Sequence, residues 1–158
     1  MWFEEDAVVL GEVHDSDGTP TFAMRAHDSR YSGDDADSAL TFERGDEVVV
    51  TLLNVSSEPQ LTGNKAKNAL HVLTEEGWTD VRGTREDTFY PIPDDGVLHP
   101  PGKGFEWRFT MTENGVIEDH LNAEVLEVCP ALSRGRYRFV FWGVAGGGAI
   151  AVEFDYDG

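Results

Sequence analysis

Alternation with a period of two runs through the chain and is cleanest in its last third. From Arg134 to Trp142, Tyr137, Phe139 and Phe141 fall on one face and Arg136 and Arg138 on the other. From Ile150 onward, Ile150, Val152, Phe154 and Tyr156 alternate with Glu153, Asp155 and Asp157. Such alternation marks antiparallel strands with one buried face. The glycine-rich link from Gly143 to Gly148 supplies residues that tolerate positive φ. The two segments therefore predict a C-terminal hairpin.

Upstream, Phe105, Trp107, Phe109 and Met111 alternate with Glu106, Arg108 and Thr110, which predicts another half-buried strand. Between Glu47 and Val55 both faces are apolar, with Val48, Val50 and Leu52 on one and Val49, Leu53 and Val55 on the other; this predicts a central strand covered on both sides. Residues 7–13 and 20–27 predict two strands joined by a turn around Asp17-Gly18. Further strands are expected over Leu40–Phe42, Asn68–Thr74 with a partner bearing Trp78 and Val81, and Ala123–Val128. Residues 82–101 carry Pro91, Pro93, Pro100 and Pro101, and so predict a long surface connection with room for one edge strand. Thr112 is placed to N-cap a short helix running to Leu121, with Glu113 in its first turn. About eight to ten strands separated by regular turn signals predict an all-β protein, an immunoglobulin-like antiparallel β-sandwich with one short helix. The expected organisation is a single domain over 1–158, with residues 1–40 as an N-terminal hairpin and loop and 41–158 as the core.

Charge changes the picture of the surface. The 158 residues carry 30 acidic against 12 basic side chains, a net charge of -18, and the only lysines are Lys65, Lys67 and Lys103. The acids are dispersed over nearly every segment, the pattern that keeps a protein soluble where salt screens self-repulsion. A halophilic protein is expected. Nucleic acid is excluded as a partner, because binding it relies on neutralising phosphates with Lys and Arg. Cys129 is the single cysteine, so no intrachain disulfide forms. The sequence contains no transmembrane run and no signal peptide. That leaves two locations open, the cytoplasm or, where an export segment has been removed, the cell envelope or exterior.

The order of features from Gly45 onward carries a family likeness. It comprises Asn54-Val55-Ser56-Ser57, then Asn68-Ala69-Leu70-His71-Val72, then Gly77-Trp78. Pro100-Pro101-Gly102-Lys103-Gly104-Phe105-Glu106-Trp107 and a closing Gly135-Arg136-Tyr137-Arg138-Phe139 complete it. This resembles the bacterial immunoglobulin-like domains, in the β-sandwich group that includes intracellular protease inhibitors, as found in exported bacterial and in haloarchaeal proteins. Residues 1–40 lie outside the resemblance. It implies a cell-envelope setting and a binding or structural role, and it brings no catalytic residues.

Candidate chemistry is sparse. A blue-copper site needs a thiolate, two histidines and usually a methionine, yet no His or Met follows Cys129; the residue reads as a small buried hydrophobe. His14, Asp15, Asp17 and Asp34, Asp35 and Asp37 offer oxygen ligands for Ca²⁺. Asp15-Ser16-Asp17-Gly18 begins like a calcium loop, but Pro20 and Phe22 break the pattern, so Asp15 and Asp17 are weak metal candidates beside a turn reading. Glu118, Asp119 and His120 show no partner set for acid–base work, and Gly146-Gly147-Gly148 joins strands and lacks the Lys and Ser/Thr of a phosphate loop. Asn54-Val55-Ser56 satisfies the N-glycosylation sequon at a strand exit, where an exposed acceptor is expected. Trp142 falls beside Arg136 and Arg138, either an exposed aromatic–arginine interaction patch or a second covered face.

The expected function is a non-catalytic immunoglobulin-like binding or structural domain of a halophilic envelope protein. It has no cofactor, is a monomer, meets a protein or surface partner, and touches a membrane only through an anchor outside this chain. The alternative is a cytosolic interaction module, such as a protease inhibitor acting through the 82–101 loop.

Overall fold

The computed structural model describes residues 8–28, 41–84, 96–117, 126–128, 132–144 and 148–158. Among them every regular element is a strand, and the protein is all-β. In chain order these are β1 (Val8–Leu10), β2 (Glu12–His14), β3 (Pro20–Asp28), β4 (Thr41–Phe42), β5 (Glu47–Asn54), β6 (Gln60–Thr62) and β7 (Asn68–Thr74). They are followed by β8 (Gly77–Asp80), β9 (Arg82–Thr84), β10 (Val97–His99), β11 (Gly104–Thr110), β12 (Leu126–Val128), β13 (Gly135–Phe141) and β14 (Ala149–Tyr156).

One sheet has the order β11-β5-β3-β2; the other has the order β1-β14-β13-β7-β8, with β4 also on β14. Two small ribbons, β10-β6 and β12-β9, flank them. The alternation decides which face each strand buries. Met24, Val50, Leu52, Trp107 and Phe109 from the first sheet join Leu70, Phe139, Phe141, Ile150 and Phe154 from the second in one hydrophobic cluster. Trp107 meets Phe139 with ring centroids 5.0 Å apart, and Phe105 meets Phe141 at 5.7 Å, so aromatic side chains of β11 and β13 join the two sheets. Burying side chains of this size contributes about 1.5–3 kcal/mol each.

The C-terminal hairpin forms as expected, and its register sets Tyr137 opposite Phe154, Phe139 opposite Val152 and Phe141 opposite Ile150. At its start the Tyr137 hydroxyl donates to the Ser133 carbonyl at 2.6 Å. Several expectations are corrected. Residues 7–13 do not make one strand. The chain turns at Gly11, where φ is 77°, so that β1 runs parallel to β14 in one sheet and β2 antiparallel to β3 in the other. β4 is also parallel to β14; antiparallel pairing alone was expected. β5 is central, between β3 and β11, yet its second face is only half covered, Val49 being buried and Leu53 exposed. The proline-rich connection carries two short strands, β9 and β10, in its described parts.

The expected helix after Thr112 is a turn in its described part, residues 112–117. Thr112 does cap, its hydroxyl accepting from the Gly115 N–H at 2.9 Å. Only the Val116 N–H to Thr112 carbonyl bond at 3.1 Å follows the helical pattern, and Ile117 bonds back to Asn114 instead. One hydrogen bond does not offset the cost of nucleating a helix.

Candidate functional site

A cleft of about 510 Å³ opens where β11 borders the turn between β6 and β7. Its walls come from residues far apart in sequence. The Trp107 indole N–H donates to the Lys65 carbonyl at 3.1 Å, which ties the turn to β11. Arg82, from β9, donates through Nε to the Val116 carbonyl at 2.6 Å and through Nη1 to Asn68 Oδ1 at 2.5 Å. Those two bonds draw β9, β7 and the turn after Thr112 together. Gly115 permits the last contact: a Cβ there would lie 2.4 Å from the Thr110 carbonyl oxygen, so no larger residue fits against the end of β11.

Among the described residues the cleft's charged lining is Lys65, Arg82, Arg108 and Glu106, in a chain of 30 acidic and 12 basic residues. Arg108 reaches Glu106 at 2.8 Å and Glu47 at 3.1 Å. Trp107, Phe109 and Phe139 lie behind these side chains and are buried, Phe139 completely.

A second polar constellation lies on the outer face of the β13 sheet. Arg138 pairs in register with His71 on β7, and His71 with Asp80 on β8. Arg138 Nε donates to His71 Nδ1 at 2.9 Å, which leaves the ring proton on Nε2, 3.0 Å from Asp80 Oδ1. The guanidinium carbon of Arg138 also lies 4.6 Å from the Trp78 ring centroid. Burial pushes the Asp80 carboxyl up, but the His71 hydrogen bond and the nearby positive charge outweigh it and hold it below its ordinary value. Arg138 is 3% exposed and His71 is completely buried.

This settles one expectation against exposure. Arg136, Arg138 and Trp142 do not form an open interaction patch: Arg138 is buried in the network, and Trp142 is half-buried beside Val140, Ala149 and Ala151 with Lys67 5.3 Å over its ring. Arg136 is spent on Glu153 at 3.0 Å and Asp155 at 3.1 Å. The face carrying them is covered at Arg138 and Val140 and part-open at Arg136, whose side chain is 41% exposed.

Asn54 is corrected too. An exposed acceptor was expected, but the residue is 1% exposed. Its amide nitrogen donates to the Glu58 and His99 carbonyls at 2.7 and 2.9 Å, and its oxygen accepts from the Ser56 N–H and hydroxyl. The sequon residues form a turn clamp, and the folded chain offers no accessible amide there. Asp15 Oδ1 accepts from the Asp17 and Thr19 N–H groups at 2.8 and 3.0 Å, the local bonding that makes these acids turn residues. His14 bonds to Glu12 at 2.9 Å. No group of three His, Cys, Asp or Glu among the described residues is arranged to hold a metal. Cys129, Asp34, Asp35, Asp37, Glu118, Asp119, His120, Gly146 and Gly147 lie outside the described residues.

Sequence reasoning missed Lys65, Arg82, His71, Asp80 and His99. His99 is buried between Phe22 and Phe105, its ring edge-on to each at 6.0 and 4.6 Å. Thr62 Oγ1 donates to the Gly63 carbonyl, so in its 2.8 Å contact with His99 Nε2 the imidazole is the donor.

No family model and no curated protein matches the chain. Among solved structures, a β-glucosidase from Listeria innocua superposes at TM-score 0.34 with 14% identity, over 89% of this chain and 17% of that one. The same enzyme in complex with isofagomine superposes at TM-score 0.33 with 14% identity and the same coverage. The chain thus spans 17% of the length of those enzymes, and a likeness this low carries no inference.

Proposed function

We propose that the chain is an immunoglobulin-like β-sandwich domain of a halophilic envelope protein, non-catalytic, and binding its partner at the cleft beside β11. The observation that carries the fold is the strand order. In an immunoglobulin sandwich, strands A, B and E share one sheet and C, F and G the other. Here β3, β5 and β11 adjoin in one sheet in the positions of A, B and E, while β7, β13 and β14 adjoin in the other in those of C, F and G. β4 leaves the first sheet to run beside the G-position strand. The Tyr137–Ser133 bond near the start of the F-position strand matches the tyrosine corner of such sandwiches, a hydroxyl reaching back to the backbone just upstream. β1 and β2 then form an N-terminal addition to that plan.

A binding or structural role is supported by how the buried polar side chains are used. Asn54, His71, His99 and Arg138 each bond to another part of the fold, as structural groups do. The dispersed charge of -18 supports the halophilic part, and the likeness of the Pro100–Trp107 and Gly135–Phe139 segments to exported domains supports the envelope part. The test is to separate envelope from cytosol in molar KCl and examine the native protein by mass spectrometry. Recovery with the envelope, carrying a processed or lipid-modified N-terminus, is expected. An unprocessed chain in the cytosol overturns the envelope assignment and directs the search to a cytosolic protein partner.

A further inference from the structure

We propose that β11 takes an extended segment of a partner protein as an added strand along its open edge; this rests on the binding-domain reading above and names the kind of partner. The bonding phase of β11 carries the argument. The Met111 N–H donates to the Asp46 carbonyl at 2.9 Å, and the Lys103 carbonyl accepts from the Asn54 N–H at 2.8 Å. Between these points the register is unbroken, with Phe105 opposite Leu52, Trp107 opposite Val50 and Phe109 opposite Val48. Backbone bonds of an antiparallel pair fall on alternate residues. Phe105, Trp107 and Phe109 therefore bond to β5, and Glu106 and Arg108 turn their N–H and carbonyl groups the other way. β11 ends its sheet, and those groups make no bond among the described residues. At Thr110 the edge closes, because its carbonyl accepts from the Thr112 N–H at 2.8 Å.

Open edges are ordinarily kept short or covered. The other strands that end a sheet follow that rule, β1 and β2 with three residues each and β8 with four, whereas β11 has seven. Glu106, Trp107, Arg108 and Phe109 line the cleft consecutively, as a strand does when it presents its backbone edge. In an immunoglobulin sandwich strand D adjoins E, and the E-position strand here has no such neighbour among the described residues. With strands about 4.8 Å apart, sheets about 10 Å apart and a rise of about 3.4 Å, one strand residue takes about 160 Å³. The cleft of about 510 Å³ thus holds about three, the stretch from Glu106 to Arg108. The Glu106 and Arg108 side chains pair with each other at 2.8 Å, so an added strand need not neutralise either. Charge selects the source of the strand. A second copy brings a further net charge of -18, and self-repulsion of that size keeps proteins monomeric. An uncharged or basic segment of another protein meets no such repulsion.

The test uses the full chain in 2 M KCl, roughly the screening regime that leaves only contact electrostatics, and follows backbone amides by NMR. In the free protein the Glu106 and Arg108 N–H groups are expected to exchange with solvent faster than those of Trp107 and Phe109. The probe is a capped peptide alternating threonine and lysine, about eight residues long, which spans roughly 26 Å when extended. N-methylated at its lysines, which leaves one bonding edge, it is expected to shift and protect the Glu106 and Arg108 amides saturably below about 10 mM. N-methylated at every residue, it is expected to bind at least about tenfold more weakly. Arg108→Thr keeps the edge N–H and should bind as the parent does. Arg108→Pro removes that N–H at a position where an edge strand tolerates proline, and should weaken binding about tenfold; should that variant not fold, the two peptides decide. Glu106 and Arg108 amides as protected as that of Trp107 in the free monomer, no saturable shift, or equal binding of the two peptides would each overturn the proposal. So would binding lost in Arg108→Thr or kept in Arg108→Pro. Protection that grows with protein concentration alone overturns it in favour of a second copy. None of these outcomes touches the envelope assignment, which stands or falls on fractionation.

Discussion

Gly11 is the point at which the chain passes from one sheet to the other, and replacing it with alanine measures what that passage demands. Its N–H donates to the Ala151 carbonyl at 2.9 Å in the β14 sheet. Its own carbonyl accepts from the Met24 N–H at 2.8 Å and from Arg25 Nη1 at 2.9 Å on the β3 side. One residue therefore belongs to both sheets, and a φ of 77° lets its two peptide groups face opposite ways. Space is not the constraint: a Cβ would meet only Arg25 Nη1, at 3.5 Å, an ordinary contact. The cost of alanine is thus backbone strain, about 1–2 kcal/mol for an L-residue in the left-handed region. Escape to negative φ would break at least one of the three hydrogen bonds, each contributing about 0.5–1.5 kcal/mol, so relaxation brings no large relief.

Gly11→Ala should accordingly lose about 1–2 kcal/mol. For a chain of this size that corresponds to a melting point lower by about 2–8 °C. Reversible denaturant unfolding in molar KCl, followed by tryptophan fluorescence, reads the first figure, and a thermal scan reads the second. Gly11→Asn separates strain from any loss of space, because asparagine visits the left-handed region more readily than alanine; it should retain more stability. An alanine variant as stable as the parent, or an asparagine variant less stable than the alanine one, would refute the account of Gly11 as the hinge between sheets.

Two further predictions concern pH and salt. Burial lowers the His99 pKa below its ordinary 6.5, so the unfolded chain takes up this proton before the folded one does. Stability from His99 is therefore full above pH 6.5 and falls as the pH drops below it; His99→Gln should flatten the pH dependence of unfolding free energy between about pH 6.5 and 5, and an unchanged slope would count against the burial argument. With a net charge of -18, the unfolding midpoint should rise between roughly 0.1 and 2 M KCl as the Debye length shortens from about 10 Å to below 3 Å. A midpoint unmoved by that change would remove the basis for the halophilic reading.

Most strands were legible because their information is local. Phe105 to Met111, Tyr137 to Phe141 and Ile150 to Tyr156 each declare a buried face by alternation alone, and each buries it. The split of residues 7–13 was not legible: Val8, Val9 and Leu10 look the same whether they continue into β2 or cross to β14. Only the positive φ of Gly11 distinguishes the two, and glycine in a strand has several other uses. The helix after Thr112 was overread for a related reason. The capping signal is real, and the hydroxyl makes its bond, but the close approach of Gly115 to the Thr110 carbonyl turns the chain toward β11 instead.

The cleft and the Arg138 network were hidden by register, since each joins residues that only sheet pairing brings together. Alternation correctly put Arg136 and Arg138 on the face opposite Phe139, but it carries no sign of whether that face meets water. The scarcity of cations offers the missing physical argument. In a chain with 30 acids and 12 bases, an arginine is seldom short of an acceptor, and a guanidinium with five fixed donors fastens several at once. Six of the seven described arginines are used in that way: Arg25 on Gly11, Arg44 on Glu113, Arg82 on Asn68 and Val116, Arg108 on Glu47 and Glu106, Arg136 on Glu153 and Asp155, and Arg138 on His71; Arg134 instead is largely exposed, 3.8 Å from Asp157. An arginine beside a tryptophan in so acidic a chain is thus better read as a cross-strand fastener than as an open patch.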